Sequence, residues 1–184
     1  APLATVGARI NVSGYWVRKP GGGLPISLKF EREPQVVALR VFPGLSRVLL
    51  DTVLEGADGV VLETYGAGTF PHRDGALLKS IREATSASTP TVAVTVSQCH
   101  GGVVDPATYA SSRALADAGV VSGIHMPPEA ALTTLYCLFP AAHPPLAVRP
   151  LLGADITGER APTARPCHQR SAPPAAPPPS ASSP

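Results

Sequence analysis

The sequence predicts a small α/β domain, a four-stranded parallel sheet with helices on both faces, followed by a disordered tail rich in Pro, Ala and Ser. Three observations carry that expectation. Short runs of Val, Ile, Leu and Thr alternate with stretches whose apolar residues recur at helical spacing. The connections between them are short and marked by Gly and Pro, so the strands should run parallel with right-handed crossovers. The 22 prolines in 184 residues crowd toward the carboxyl end, which sets a folded body apart from a loose tail.

Residues 1–34 read as a connector arm, with Ile10-Asn11-Val12 as a short strand and Pro20-Gly21-Gly22-Gly23 as a loop. The α/β domain is assigned to residues 35–140. It begins with Val36, Val37, Ala38, Leu39, Val41 and Phe42, a compact apolar run closed by Pro43-Gly44, as in a strand covered on both faces. Ser46 then caps a helix that buries Val48, Leu49, Val53 and Leu54 and ends at Gly56.

The second strand, Val60-Val61-Leu62, stops at Glu63 and Thr64 and passes through Tyr65-Gly66-Ala67-Gly68. Two glycines one residue apart at a strand's carboxyl end permit positive φ and a close approach by another group, and function in an open α/β sheet usually sits at that edge. A helix over about residues 74–84 follows, with Leu77, Leu78 and Ile81 on one face. Thr91 to Val96, dense in β-branched residues, is the third strand. A third helix is expected over about residues 107–118, with Tyr109, Ala114, Leu115 and Ala118 as its apolar stripe, and then a short strand at Val120-Val121. Pro127-Pro128-Glu129 opens the last helix, which buries Ala131, Leu132, Leu135, Leu138 and Phe139. Residues 141–163 form a carboxyl-terminal extension, and 164–184 are too poor in apolar side chains to offset the entropy of ordering.

Composition excludes several partners. A formal charge of +2 arises from scattered Arg and Lys without aromatic interleaving, so nucleic acid is not expected. The apolar runs are too short for a bilayer and no signal-type stretch opens the chain, which reads as cytoplasmic. Cys99, Cys137 and Cys167 are widely spaced, as in reduced thiols, and no metal or other cofactor is expected. A chain opening at Ala1 reads as a fragment.

Several blocks now carry a resemblance: YGAGTFP at Tyr65 to Pro71, SQCHGGVV at Ser97 to Val104, ALADAGVVSG from Ala114, and PEAALTTL through Leu135. PLATVG at Pro2 to Gly7, Val17-Arg18-Lys19, Val41-Phe42-Pro43-Gly44 and LLGADITGERAP at Leu151 to Pro162 extend it. In order and spacing the sequence resembles the C-terminal domain of type I cytosolic L-asparaginases, including the animal lysophospholipase/asparaginase proteins.

The resemblance implies a homo-oligomeric hydrolase that converts L-asparagine to L-aspartate and ammonia. Its threonine nucleophile, with a Thr-Asp pair and a Lys, belongs to an N-terminal domain whose TGGT and GTDT segments this sequence does not contain. The chain alone is therefore expected to have no catalytic residues, and to serve subunit pairing and active-site completion with an asparaginase N-terminal domain or a second subunit. A non-catalytic truncated homologue that binds or regulates an intact asparaginase is the alternative. By the same resemblance, Thr64, Tyr65, Gly66, Gly68, Ser97, Gln98 and Cys99 are the candidates for substrate or effector binding. Glu63 stands where the family's effector-binding Arg would be, and a carboxylate repels an amino acid's α-carboxylate. Thr69 replaces the family's Asn in the turn, and Pro127 replaces a Thr before the last helix.

Simpler readings stand beside these. Gly66 and Gly68 serve local turn geometry equally well. Cys99-His100 as a thiolate or zinc pair lacks a second pair of ligands and a base placed against the thiol. Cys137 reads as a small core residue, and Asp74 as a helix cap with His72 and Arg73 solvated.

Overall fold

A computed structural model describes residues 4–12, 32–71, 75–99, 102–105, 107, 109–141 and 145–154. Expectations that fall on other residues, including the tail, the Pro-Gly-Gly-Gly loop, His72, Arg73, Asp74, His100 and Cys167, lie outside them.

The first elements are β1 (Ala4–Val6) and β2 (Ile10–Val12), an antiparallel pair in which Ala4 faces Val12 and Val6 faces Ile10. The main sheet is formed by β3 (Val36–Arg40), β4 (Gly59–Thr64), β5 (Val92–Ser97) and β6 (Val121–Ser122), parallel and in sequential order. Between them lie α1 (Arg47–Gly56), α2 (Ala76–Ser86) and α3 (Ala110–Asp117). After β6 come α4 (Pro128–Ala141) and α5 (Pro145–Gly153).

Side-chain parity divides the core in two. Val60, Leu62 and Ala93 pack against Leu50, Leu54, Leu77, Ile81 and Leu115 from α1, α2 and α3. Val61, Val92, Val94 and Val96 pack against Ala131, Leu135, Leu138, Val148 and Leu152 from α4 and α5. Three same-hand crossovers put the first three helices on one face, so the chain must return across the other to cover it. The fold is therefore the expected four-stranded parallel α/β sheet with helices on both faces. Each fully buried Leu or Val of the central strands contributes roughly 1.5–3 kcal/mol.

Several local expectations are corrected. β3 is an edge strand paired with β4, so it is not covered on both faces: Val37 and Ala38 are exposed. In α1 the buried residues are Leu50 and Leu54, while Val48 and Leu49 stay 75% and 43% exposed in the first turn. The register of burial is offset because Ser46, whose hydroxyl accepts from the Leu49 amide, fixes where the helix starts. α2 begins at Ala76 after Gly75, which takes φ 69° as N-cap. α3 begins at Ala110, leaving Tyr109 at the cap and 47% exposed instead of within an apolar stripe. β6 is shifted to Val121–Ser122, with Val120 buried ahead of it. The sequence reading did not place α5, which adds Val148 and Leu152, both fully buried.

Candidate functional site

The carboxyl ends of β3, β4 and β5 meet in a network of short hydrogen bonds. β4 leaves the sheet through a tight turn, in which the Gly68 amide donates to the Tyr65 carbonyl at 2.6 Å and the Tyr65 amide to the Thr69 carbonyl at 3.1 Å. Gly68 has φ 82°, and a Cβ there would lie 2.7 Å from Val104 Cγ1. Glycine is thus demanded twice, by conformation and by space. Gly66 does not take positive φ; its closeness is to Cys99, whose Sγ would be 3.3 Å from an added Cβ.

β5 supplies the next layer. The Ser97 hydroxyl donates to the Gly66 carbonyl at 2.9 Å and accepts from the Cys99 amide at 3.0 Å. The Gly102 amide closes that loop on the Cys99 carbonyl at 2.9 Å, and a Cβ on Gly102 would fall 2.0 Å from Ser97 Oγ and 2.6 Å from the Gly66 carbonyl. Beneath it the Thr64 hydroxyl, fully buried, donates to the Val96 carbonyl at 3.0 Å, which leaves Thr95 as the donor in the 2.9 Å contact between the two threonines. Gln98 extends the sheet sideways: its Nε2 donates to the Val41 carbonyl at 2.5 Å and the Glu63 carbonyl at 2.7 Å, while its amide donates to the Thr64 carbonyl.

The candidates named from sequence are thus brought together, and the side-chain donors of Thr64, Ser97 and Gln98 are spent on backbone carbonyls of the fold. Thr64, Ser97 and Gln98 build the edge, Gly66 and Gly68 shape its turn, and Cys99 is exposed beside it. Tyr65 and Thr69 look the other way, into a cleft of about 720 Å³ lined also by Leu45, Phe70, Leu77 and Tyr109. The lining is mostly apolar, as in ligand and docking clefts. A second cleft, of about 410 Å³ and lined by Arg47, Asp51, Glu55 and Glu83, runs along α1 and α2 away from the turn.

Three supporting residues escaped the sequence reading. Ser112, buried in the first turn of α3, donates to the Gly68 carbonyl at 2.9 Å and pins the turn from the far side. Arg40 lies opposite Glu63 in the strand register and pairs with it at 3.0 Å, so the Glu63 carboxylate already has a cation. Ile124, a β-branched residue held at φ 56°, accepts from the Val104 amide and so fixes the side chain that fills the space under Gly68. A serine in the first turn of a helix and a charged strand end are the available signals, but neither shows in sequence what it touches.

Among the described residues no group of three or more His, Cys, Asp or Glu side chains is placed to hold a metal, and no helix is long and apolar enough to cross a membrane. Burial pushes the imidazole of His125, after β6, below its usual range.

The chain is similar to proteins much longer than itself. It is 38% identical over 162 residues to the 60 kDa lysophospholipase of Mus musculus, an alignment covering 86% of this chain and 28% of that protein. It is 37% identical over 139 residues to the L-asparaginase of Thermococcus kodakarensis, covering 76% of this chain and 41% of that protein. The solved structure of the thermostable Thermococcus kodakarensis L-asparaginase superimposes with a TM-score of 0.65 at 32% identity, covering 85% of this chain and 46% of that one. L-asparaginase I from Vibrio cholerae gives 0.66 at 30% identity, covering 86% and 47%. The chain thus spans less than half of each of these proteins. The profile of the glutaminase/asparaginase C-terminal domain matches residues 35–152, a span that opens just before β3 and closes at Leu152 in the core of the second face. A parallel sheet in this order, with the glycine turn locked on its carboxyl edge and a profile match across the whole of it, places the chain in the glutaminase/asparaginase C-terminal domain family.

Proposed function

We propose that this chain acts as the site-completing and docking part of an L-asparaginase, without hydrolytic activity of its own. The observation that carries the reading is the state of the edge hydroxyls. Thr64 and Ser97 donate to the backbone carbonyls of Val96 and Gly66. A hydroxyl becomes a nucleophile only when a base can take its proton, and these two protons are committed to the fold. The family resemblance puts the reactive threonine in an N-terminal domain, and this chain spans only 28% to 47% of the relatives and structures described above.

What remains for the domain is to present a surface. Phe42, Val48 and Leu49 are 43%, 75% and 43% exposed around the end of β3 and the start of α1, close in the chain to Pro43, Gly44 and Leu45 of the apolar cleft. Exposed apolar groups gathered at one edge suit contact with an asparaginase N-terminal domain or a second subunit. Tyr65, Thr69 and the backbone of Gly66 and Gly68 would then line the substrate side of that contact. A cytoplasmic setting and the absence of metal or other cofactors belong to the same reading.

The test is ammonia release from L-asparagine by the purified chain and by Cys99→Ala, together with co-elution of the chain with a full-length relative. No release from either protein, with co-elution, is the expected outcome. Release that Cys99→Ala abolishes would replace the reading with a thiol hydrolase.

A further inference from the structure

The opposite, amino edge of the sheet holds a second constellation that the asparaginase reading does not use. The four residues before β3 are tied down one after another. The Arg32 guanidinium reaches the Asp58 carboxylate with Nη1 at 2.8 Å and Nη2 at 2.5 Å, a two-pronged pair. Glu33 accepts from the Tyr136 hydroxyl of α4 at 2.7 Å. Pro34 is buried. The Gln35 amide donates to Asp58 Oδ2 at 2.8 Å, and its carbonyl accepts from the Asp58 and Gly59 amides at 2.9 and 3.2 Å.

Asp58 is the centre of this arrangement. It sits in the two-residue link between α1 and β4, so its backbone is fixed by the sheet while its carboxylate faces outward at 23% side-chain exposure. One carboxylate thereby binds a side chain and a backbone amide of the same incoming segment, and Tyr136 adds a tether from the other helical layer. A segment needing only to connect would require none of these contacts.

We propose that Asp58 and Tyr136 form a clasp that holds residues 32–35 against the amino edge of the sheet and so fixes the position from which the preceding arm leaves the domain. Closed, it holds residues 32–35 at a set place on the sheet edge; open, it releases the side chains of Arg32 and Glu33 and the Gln35 amide from Asp58 and Tyr136. The clasp depends on no property of the carboxyl-edge site, and failure of the asparaginase reading would leave it untouched.

Hydrogen exchange and limited trypsin digestion of the full chain test this. Breaking the clasp with Asp58→Asn should speed exchange of the Gln35 amide by about threefold to fivefold while the Val94 amide of β5 keeps its wild-type rate. Trypsin must also withdraw Arg32 from Asp58 to cut after it. Cleavage at that bond should therefore rise about fivefold in the variant relative to cleavage after Arg18 in the same molecule. Equal Gln35 exchange and equal Arg32 cleavage in a folded Asp58→Asn protein would overturn the proposal. If Asp58→Asn loses Val94 protection, Tyr136→Phe decides: faster cleavage after Arg32 upholds the clasp, and an unchanged rate overturns it.

Discussion

At the carboxyl edge of the sheet, glycines, hydroxyls and an amide side chain interlock at distances that leave no room for an added methyl group. At the amino edge the incoming chain is secured by ionised groups at the surface, Arg32 and Asp58, with a phenol and a backbone amide beside them. The same four strands join the two ends, so the difference lies in what each end must do. One end has to hold a turn in a single shape. The other has to hold a passing segment that enters from outside the fold. Sterics fix the first and electrostatics the second, and the two respond differently to mutation, salt and pH.

The contrast is tested most severely at Gly102. Alanine there would push a methyl group into Ser97 Oγ and the Gly66 carbonyl, and the second of these belongs to backbone that cannot rotate away. Overpacking of this kind costs about 1–3 kcal/mol in a yielding core and more where backbone must move. Gly102→Ala should therefore lose about 3 kcal/mol or more in urea denaturation, the largest effect of a single methyl group considered at either edge. A loss below about 1 kcal/mol would show that the carboxyl edge is looser than its distances imply.

Much of this was legible in the sequence. β4 and β5 announce themselves as apolar runs because both of their faces are covered. The turn after β4 is visible because positive φ at a strand end calls for glycine, a demand that Gly68 meets while Gly66 answers only to the nearness of Cys99. Periodicity does not, however, say which strand lies at the edge, and so β3, equally apolar, was expected to be covered when Val37 and Ala38 face outward. Nor did it show α5, whose Pro145 and Pro150 look like helix breakers although Pro145 occupies the tolerated first position. The partners that give the candidate site its form were hidden for a different reason. Ser112 is 44 residues from the carbonyl it holds, and Arg32 is 26 residues from Asp58. Local patterns name the elements, but such pairs exist only once the sheet has brought the elements together.

A smaller effect is expected at Gln98, whose amide bridges the Val41 and Glu63 carbonyls across two strand ends. Gln98→Ala leaves the Val41 carbonyl without that donor, while the Glu63 carbonyl keeps the Val41 amide at 2.9 Å. A half-buried acceptor deprived of its donor costs about 1–2 kcal/mol. Because the lost bonds are neutral, this destabilisation should be the same at low and high salt in urea titrations. A strong salt dependence would mean that Gln98 acts through the neighbouring Arg40–Glu63 pair instead.

The smallest effect in magnitude is the most distinctive in form. The Arg32 hydrogen bond holds the Asp58 carboxyl below the usual carboxylate range, the Gln35 amide acts in the same direction, and burial opposes them. A carboxyl whose pKa is lower in the folded than in the unfolded chain binds its proton less readily when folded. The stability it confers is therefore present above the unfolded value, near 4, and is lost as pH falls through the folded one. Exposed pairs of this kind contribute little, because solvent screens them. The thermal midpoint of the wild-type chain should accordingly exceed that of Asp58→Asn by a small, constant amount above about pH 5, and the two should converge as pH falls below the usual carboxylate range and through the lowered folded value. The same comparison for Gln98→Ala, whose lost bonds carry no titrating group, should stay flat across that range. If the Asp58→Asn difference also stayed flat, the carboxylate's charge would not be what holds the amino edge, and the division between the two ends of the sheet would fail where it is most easily measured.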